Sequence, residues 1–365
     1  LVEITSSQVP SEGLFDYIAL FFGEFIRECE ESGCEDVRQD SVRGSRIHVA
    51  FTFSFPTIQT HIGSARLVRW TKGLETGEDT SDPVVGRDVG ELLNAAFRRN
   101  CVPAYCVCII NDTVGTLLSA LYDLRSSASM SRPEMLTRDP ASCPEALSPK
   151  NSSELNCSIS SLSDQSQAFV GIVVGTGANA CYMEPEASSL GYKGMIINTE
   201  CGDFYSPKLP STDCDLVLDW HSDNRGQQRL EKMISGTYLG EIARLMAVNL
   251  LKQETPPPLF ERGVLHTEHI SVIAQHLDDD PNDVSFLVGF LQGSFSASFT
   301  PQTALTIAHI STMVITRAAR LVSVLITAFA KRLCKTAHSS LTVAVDGSVW
   351  CKSLFFQRQV RNCLH

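Results

Sequence analysis

Five short apolar runs along this chain each stop abruptly at residues that seek water or a ligand. Residues 47–53 deliver Ser54, and residues 107–110 deliver Asn111 and Asp112. The run to Val174 delivers Gly175 and Thr176, residues 195–197 deliver Asn198-Thr199-Glu200, and residues 342–345 deliver Asp346-Gly347-Ser348. The runs are rich in β-branched and aromatic residues, while several segments between them carry helical periodicity, so the pattern predicts an α/β chain. Open α/β sheets bind ligands beyond the carboxyl ends of their strands. One polar ending is noise, whereas five predict a cleft along one edge of two sheets.

The octapeptide of residues 109–116 shows both the signal and its ambiguity. A strand that ends in an amide and a carboxylate places both groups at a rim. Read alone, Asp112 has two roles open to it: cap of the next helix, or a group facing a ligand.

The remaining elements are read from periodicity. Residues 11–31 predict a helix with Ser11 as N-cap, Gly33 as stop and one apolar face of Leu14, Ile18, Phe21, Phe22, Phe25 and Ile26. Strands are expected over 47–55 and 66–70, with a polar turn at 57–64 between them. A helix is expected over 88–99 with Val89, Leu92, Leu93 and Phe97 inward, then a strand over 105–110. Residues 124–167 are rich in Ser, Pro and Asn without sustained periodicity, which predicts a loosely ordered surface insertion. A strand over 168–174 and its return at 180–183 flank Gly175-Thr176-Gly177. Two glycines there let backbone amides approach a phosphate, although a plain hairpin uses them too. One amphipathic helix is expected over 229–251 with Glu231 in its first turn, a further helix over 283–291, a long buried helix over 306–331, and a last helix from Leu354.

Composition bounds the function classes. At 365 residues there is room for two domains. A net charge of -11 argues against a general nucleic-acid binder. The 13 cysteines show no CxxC or Cys/His ligand spacing, which indicates buried thiols in a reducing, cytoplasmic setting and no metal site. The longest apolar stretch, residues 321–330, is bracketed by Arg317, Arg320, Lys331 and Arg332 and is too short to span a bilayer.

Taken together, Phe51-Thr-Phe-Ser-Phe-Pro56, Trp70-Thr-Lys-Gly73, residues 107–116, Val174-Gly-Thr-Gly-Ala-Asn-Ala-Cys-Tyr-Met-Glu184, Asn198-Thr-Glu200, Leu230-Glu-Lys-Met-Ile-Ser-Gly-Thr-Tyr-Leu-Gly-Glu241, Thr316-Arg317 and Val345-Asp-Gly-Ser348 resemble the hexokinase family of the actin-like ATPase superfamily. The resemblance covers nearly the whole chain outside the insertion. It implies a two-lobed actin-like ATPase (ribonuclease H-like) α/β fold, with a small lobe over 1–110 and a large lobe over 111–365. It also implies ATP-dependent phosphorylation of a hexose, D-glucose first, at the 6-hydroxyl, the first step of glycolysis. A non-catalytic glucose-binding sensor is the competing reading.

Residue by residue, the resemblance implies that Ser54, Thr71, Lys72, Asn111, Asp112, Asn179, Glu200 and Glu231 bind the sugar, with Asp112 the general base. Gly175, Thr176, Gly177, Gly236, Thr237, Thr316 and Ser348 fall on nucleotide-contacting positions, with Mg2+ held mainly through the ATP. The residue types suit the task, since carboxylates and amides can pair with two neighbouring hydroxyls at once. The chain also departs from the family. Cys201 stands where Trp is usual and Leu230 where Phe or Tyr is usual. The family's Asp-Leu-Gly-Gly-Thr-Asn and Gly-Ser-Gly-Lys-Gly loops are not found. The resemblance therefore implies a chain cut at both ends, with an incomplete small lobe, that is unstable or weakly active as it stands.

Overall fold

The computed structural model describes residues 6–33, 46–71, 74–129, 167–191, 195–335 and 339–364. Within them the chain forms two compact units that divide between Gly115 and Thr116.

The first unit opens with helix α1 (Ser11–Glu31), followed by strands β1 (Ile47–Thr52), β2 (Thr57–His61) and β3 (Ser64–Leu67), helix α2 (Val89–Arg99), strand β4 (Ala104–Ile110) and the start of α3 (Asp112–Ser129). β1 pairs with β4 in parallel, and β2 and β3 form an antiparallel hairpin. The hairpin is tied to β4 where the Ile109 amide donates to the Ile62 carbonyl at 2.7 Å and Gln59 Nε2 donates to the Ile109 carbonyl at 2.8 Å. Phe15, Phe53, Trp70, Val89, Leu93, Phe97 and Ile109 form the core. Phe55 meets the Trp70 ring edge-on at 4.9 Å, an arrangement worth about 1 kcal/mol beyond burial. Asp88 caps α2 by accepting from the Gly90 and Glu91 amides.

Three expectations for this unit are corrected. The polar turn at 57–64 is itself the β2–β3 hairpin. Its residues face solvent along most of their length, so no apolar alternation marks them. Ser11 is not the cap of α1. Pro10 holds that position, and the buried Ser11 hydroxyl donates to the Asp82 carboxylate instead. The buried face of α1 is also rotated. Phe15, Ala19 and Ile26 point inward with Phe22 beside them, while Phe21 and Phe25 are 64% and 53% exposed. Packing against α2 fixes that rotation, and a helix with aromatics on more than one face does not declare it.

The second unit is built on a four-stranded sheet in the order β7-β6-β5-β8, from β5 (Gln167–Val174), β6 (Ala178–Met183), β7 (Ile196–Asn198) and β8 (Ser340–Asp346). β6 runs antiparallel to both β5 and β7, and β8 runs parallel to β5. Its helices are α4 (Asp213–Trp220), α5 (Arg229–Ile234), α6 (Gly236–Leu251), α7 (Thr267–Asp279), α8 (Val284–Phe295), α9 (Pro301–Leu333), α10 (Ser348–Lys352) and α11 (Leu354–Leu364). Val170, Ile172 and Val174 of the central strand share one core with Ile234, Leu239, Ile242, Ile315, Val322 and Phe356. α9 packs against α6, α7, α8 and α11. At 33 residues it is much longer than the apolar stretch that marks it, and it is long and apolar enough to cross a membrane by length and composition. Ile307, Val314, Ala318 and Val322 along it are nevertheless buried in the core.

Here too the sequence expectations shift. α3 continues through Ser129 and β5 begins at Gln167, so only part of the expected insertion remains, and residues 130–166 lie outside the described residues. The single helix expected over 229–251 is broken at Ser235, whose backbone is extended at φ -94° and ψ 157°. The break has a tertiary cause. The Gly236 amide donates to the Gly175 carbonyl at 2.7 Å rather than to its own helix, seating the start of α6 on the β5–β6 turn.

Candidate active site

The polar residues singled out in the sequence gather into one set in the first unit and two in the second. In the first unit the set lies where β4 becomes α3. The register of β1 against β4 slips after Val49, because Val49 faces Cys106 while Ala50 faces Cys108, leaving Val107 as a bulge. Burial along β4 changes phase there, so Cys106 and Ile109 are buried and Cys108 is only partly so. A bulge bends its strand and re-aims the side chains beyond it.

Past Val107, Asn111 Oδ1 accepts from the Thr113 amide at 3.0 Å and from the Thr113 hydroxyl at 2.7 Å, and the Asn111 carbonyl accepts from the Gly115 amide. Asn111 therefore caps α3. Asp112 Oδ1 accepts from the Thr113 amide at 2.8 Å, and the Asp112 amide donates to Ser54 Oγ at 3.2 Å. This brings Ser54, Asn111 and Asp112 together. Thr71 is half-buried and accepts from the Leu74 amide through its carbonyl. Lys72 lies outside the described residues.

In the second unit, one set surrounds the first residues of β6. Asn179 Nδ2 donates to Asn198 Oδ1 at 2.7 Å and to Glu200 Oε1 at 3.3 Å, while Asn179 Oδ1 accepts from the Ala180 amide. Asn198 Nδ2 donates to the same Glu200 oxygen at 2.7 Å. Glu231 Oε2 accepts from the Ala178 amide at 2.8 Å. Two carboxylates and two amides thus share one patch. Glu200 itself sits in the left-handed region at φ 48°, an uncommon conformation for a non-glycine residue. Beside it, burial together with the Glu200 and Glu231 charges pushes the Cys201 thiol up to about 11, so it stays protonated at neutral pH.

The last set is the turn between β5 and β6. The Gly175 amide donates to the Gly177 carbonyl at 2.9 Å, and Thr176 at the tip is exposed. Thr237 Oγ1 donates to the Thr176 carbonyl at 2.7 Å, and Thr267 Oγ1 donates to the Gly236 carbonyl at 2.6 Å. A Cβ on Gly175 would come within 3.2 Å of the Ser348 amide nitrogen. Gly175, Thr176, Gly177, Gly236, Thr237 and Ser348 are therefore neighbours. Thr316 is placed elsewhere, in a groove of about 860 Å³ lined by Phe204, Lys208, Pro210, Arg317 and Arg320 among others, and none of those six neighbours lines it.

The sequence reads Asn198 only as part of the polar strand end before Glu200; its hydrogen bond to the Glu200 carboxylate appears only in the structure. Thr267 carries no local signal, because its role depends on where α7 begins against Gly236.

Buried ion pairs support this unit. Asp219 accepts from Arg229 Nη1 and Lys232 Nζ, each at 2.7 Å, and from the Gly226 amide. Burial pushes its carboxyl up, but the Lys232 and Gly226 hydrogen bonds and the Lys232 and Arg229 charges outweigh that and hold it below the usual 3.8. A depressed carboxylate stabilises the fold fully above its unfolded value and loses that contribution as pH falls through its folded one. Asp219→Asn is expected to destabilise by about 3–5 kcal/mol at pH 7. The gap to wild type should begin to narrow as pH falls towards 3.8 and close only below the depressed folded value, where both side chains are neutral. Thermal unfolding of the two proteins between pH 7 and pH 2.5 checks this.

Residues 169–365 match a protein-family model described as Hexokinase, and residues 2–122 match a second with the same description. The hexokinase of Plasmodium falciparum is 36% identical over 316 residues, which cover 87% of this chain and 56% of that protein. The hexokinase of Toxoplasma gondii is 33% identical over 347 residues, covering 95% of this chain and 64% of that protein. The chain thus spans 56% and 64% of the length of these two relatives. A solved hexokinase structure superposes with a TM-score of 0.75 at 32% identity, covering 99% of this chain and 69% of the other. A hexokinase from Schistosoma mansoni complexed with glucose gives 0.72 at 28% identity, covering 99% and 70%.

Proposed function

The chain belongs to the hexokinase family, and we propose that it transfers the γ-phosphoryl group of MgATP to the 6-hydroxyl of a hexose, D-glucose first. Its α/β fold is the actin-like ATPase fold of the hexokinase structures it matches. The observation that carries the reading is at the end of β4. Asn111 and Asp112 both accept from the Thr113 amide at the start of α3, and the Asp112 amide donates to Ser54 Oγ, which sets the carboxylate among the residues assigned to the sugar.

In this reading Asp112 accepts the proton of the 6-hydroxyl while that oxygen attacks the γ-phosphorus. The bond from phosphorus to the β,γ-bridging oxygen breaks and ADP departs. A positioned base contributes about 10²–10⁴-fold, and alignment and charge stabilisation supply most of the rest. Asn179, Glu200 and Glu231 hold the other hydroxyls of the sugar, with Asn198 steadying Glu200. A site built around hydroxyls rejects a sugar that lacks one, because its polar groups are then left unpaired. Thr176, Thr237 and the flanking glycines hold the phosphates, and the magnesium ion arrives with the nucleotide. The glucose bound to the Schistosoma relative supports glucose as the first hexose to try.

Calorimetric titration with glucose and a coupled ADP-release assay test the proposal. Binding together with glucose-dependent ADP release is the expected result. Binding without release would leave a sugar sensor, and absence of binding would overturn the sugar assignment itself.

A further inference from the structure

Glu231 sits on α5, a helix of only six residues between a left-handed Gln228 and the break at Ser235. A helix this short does not hold itself in water. Leu230, Met233 and Ile234 anchor it in the core, and two carboxylates outside it add directed ties. Arg229 and Lys232, three apart and so on one face, both reach Asp219. Lys232 is 3% exposed, and its ammonium also donates to Ser222 Oγ at 2.8 Å and to the Asn224 carbonyl at 2.9 Å, which uses all three of its protons. Glu231 is left on another face, turned to the Ala178 amide.

The second tie comes from the turn just after Glu200. Asp203 Oδ1 accepts from the Gln228 amide at 2.7 Å, immediately before α5 begins. Between the two ties lies Gly202. A Cβ there would come within 2.6 Å of the Ala178 carbonyl oxygen, 2.9 Å of Gln228 Oε1 and 3.2 Å of Glu231 Cβ. The turn after Glu200, the start of β6 and the first turn of α5 are thus in direct contact.

We infer that Asp203 and the Asp219–Lys232 pair act as positioning residues for the hexose, a two-point frame that fixes Glu231 relative to Glu200. The inference rests on the assignment of those two carboxylates to the sugar. Neighbouring hydroxyls of a pyranose have a fixed spacing, so two acceptors recognise them together only when held at a matching distance. Frame residues touch no substrate, and their influence passes through Glu231.

The test measures the glucose Kd by calorimetry and the MgATP KM for the whole chain carrying Asp203→Ala, Lys232→Met or Glu231→Gln, and for each frame variant combined with Glu231→Gln. Each frame variant is expected to weaken glucose about tenfold, the loss of roughly one hydrogen bond to a charged group, with the MgATP KM unchanged. Each double variant should bind glucose no more weakly than Glu231→Gln alone, since coupled residues are not additive. Additive losses, or an unchanged glucose Kd in Asp203→Ala, overturn the frame. Asp203 is exposed, so its variant keeps the test decisive even where the buried Lys232→Met does not fold. If Glu231→Gln alone leaves the glucose Kd unchanged, the sugar assignment fails first and the frame falls with it.

Discussion

Asp112→Asn lowers kcat for hexose phosphorylation by about 10²–10⁴ while the glucose Kd moves less than tenfold; this is the expected result if Asp112 is the base. Asparagine has the same shape and its amide oxygen can still accept from the Thr113 amide. The bond to Ser54 comes from the Asp112 backbone and is unaffected by the change. The cap of α3 belongs to Asn111, so the helix start keeps its own acceptor. The substitution therefore removes the proton acceptor while keeping these hydrogen bonds, and the thermal midpoint should stay within the range of an ordinary surface change, about 0.5 kcal/mol. The comparison with Asn111→Ala sharpens the point. That variant removes the cap and should cost about 1 kcal/mol of stability as well as sugar contacts. A kcat for Asp112→Asn within tenfold of wild type would refute the role.

The sequence made the strand ends legible because they depend on local chemistry. Apolar runs that stop at Asn111, Gly175, Asn198 and Asp346 coincide with the ends of β4, β5, β7 and β8, and Asp88 caps α2 where a capping residue precedes a periodic run. The features that stayed hidden depend on distant partners. Nothing near Ser235 announces a break, since the acceptor that turns the chain is the carbonyl of Gly175. The rotation of α1 depends on α2, and the phase change in β4 depends on one unpaired residue, Val107. In the candidate site, Asn179 and Glu231 were legible only through the family resemblance, whereas Thr267 carries no local signal at all, and Thr316, a nucleotide-contacting position by the resemblance, lines a groove that holds none of the phosphate-turn residues. Residue type reports what a side chain can do, and only packing reports where it does it.

The phosphate turn offers the second large effect, through a glycine just past the end of β8. Gly347 sits at φ 105° and ψ 156°, a region essentially confined to glycine. A Cβ there would lie 2.5 Å from both the carbonyl carbon and the oxygen of Val174, and 2.7 Å from the Gly175 nitrogen. These are backbone atoms of the central strand and of the turn itself, so no rotamer change relieves the overlap. Gly347→Ala is therefore expected to destabilise the second unit by about 3–5 kcal/mol, strain and overlap together. It should also weaken MgATP binding beyond measurement, because Ser348 and Gly175 are pushed apart. Gly191→Ala is the control. Gly191 also has a positive φ, 85°, but a Cβ there would meet nothing within 4 Å. Its change should cost only about 1 kcal/mol of backbone strain and leave nucleotide affinity intact. Scanning calorimetry with and without MgATP separates the two. If Gly347→Ala and Gly191→Ala lower the transition equally, positive φ alone explains both, and the close approach of β8 to the turn is not what shapes the phosphate site.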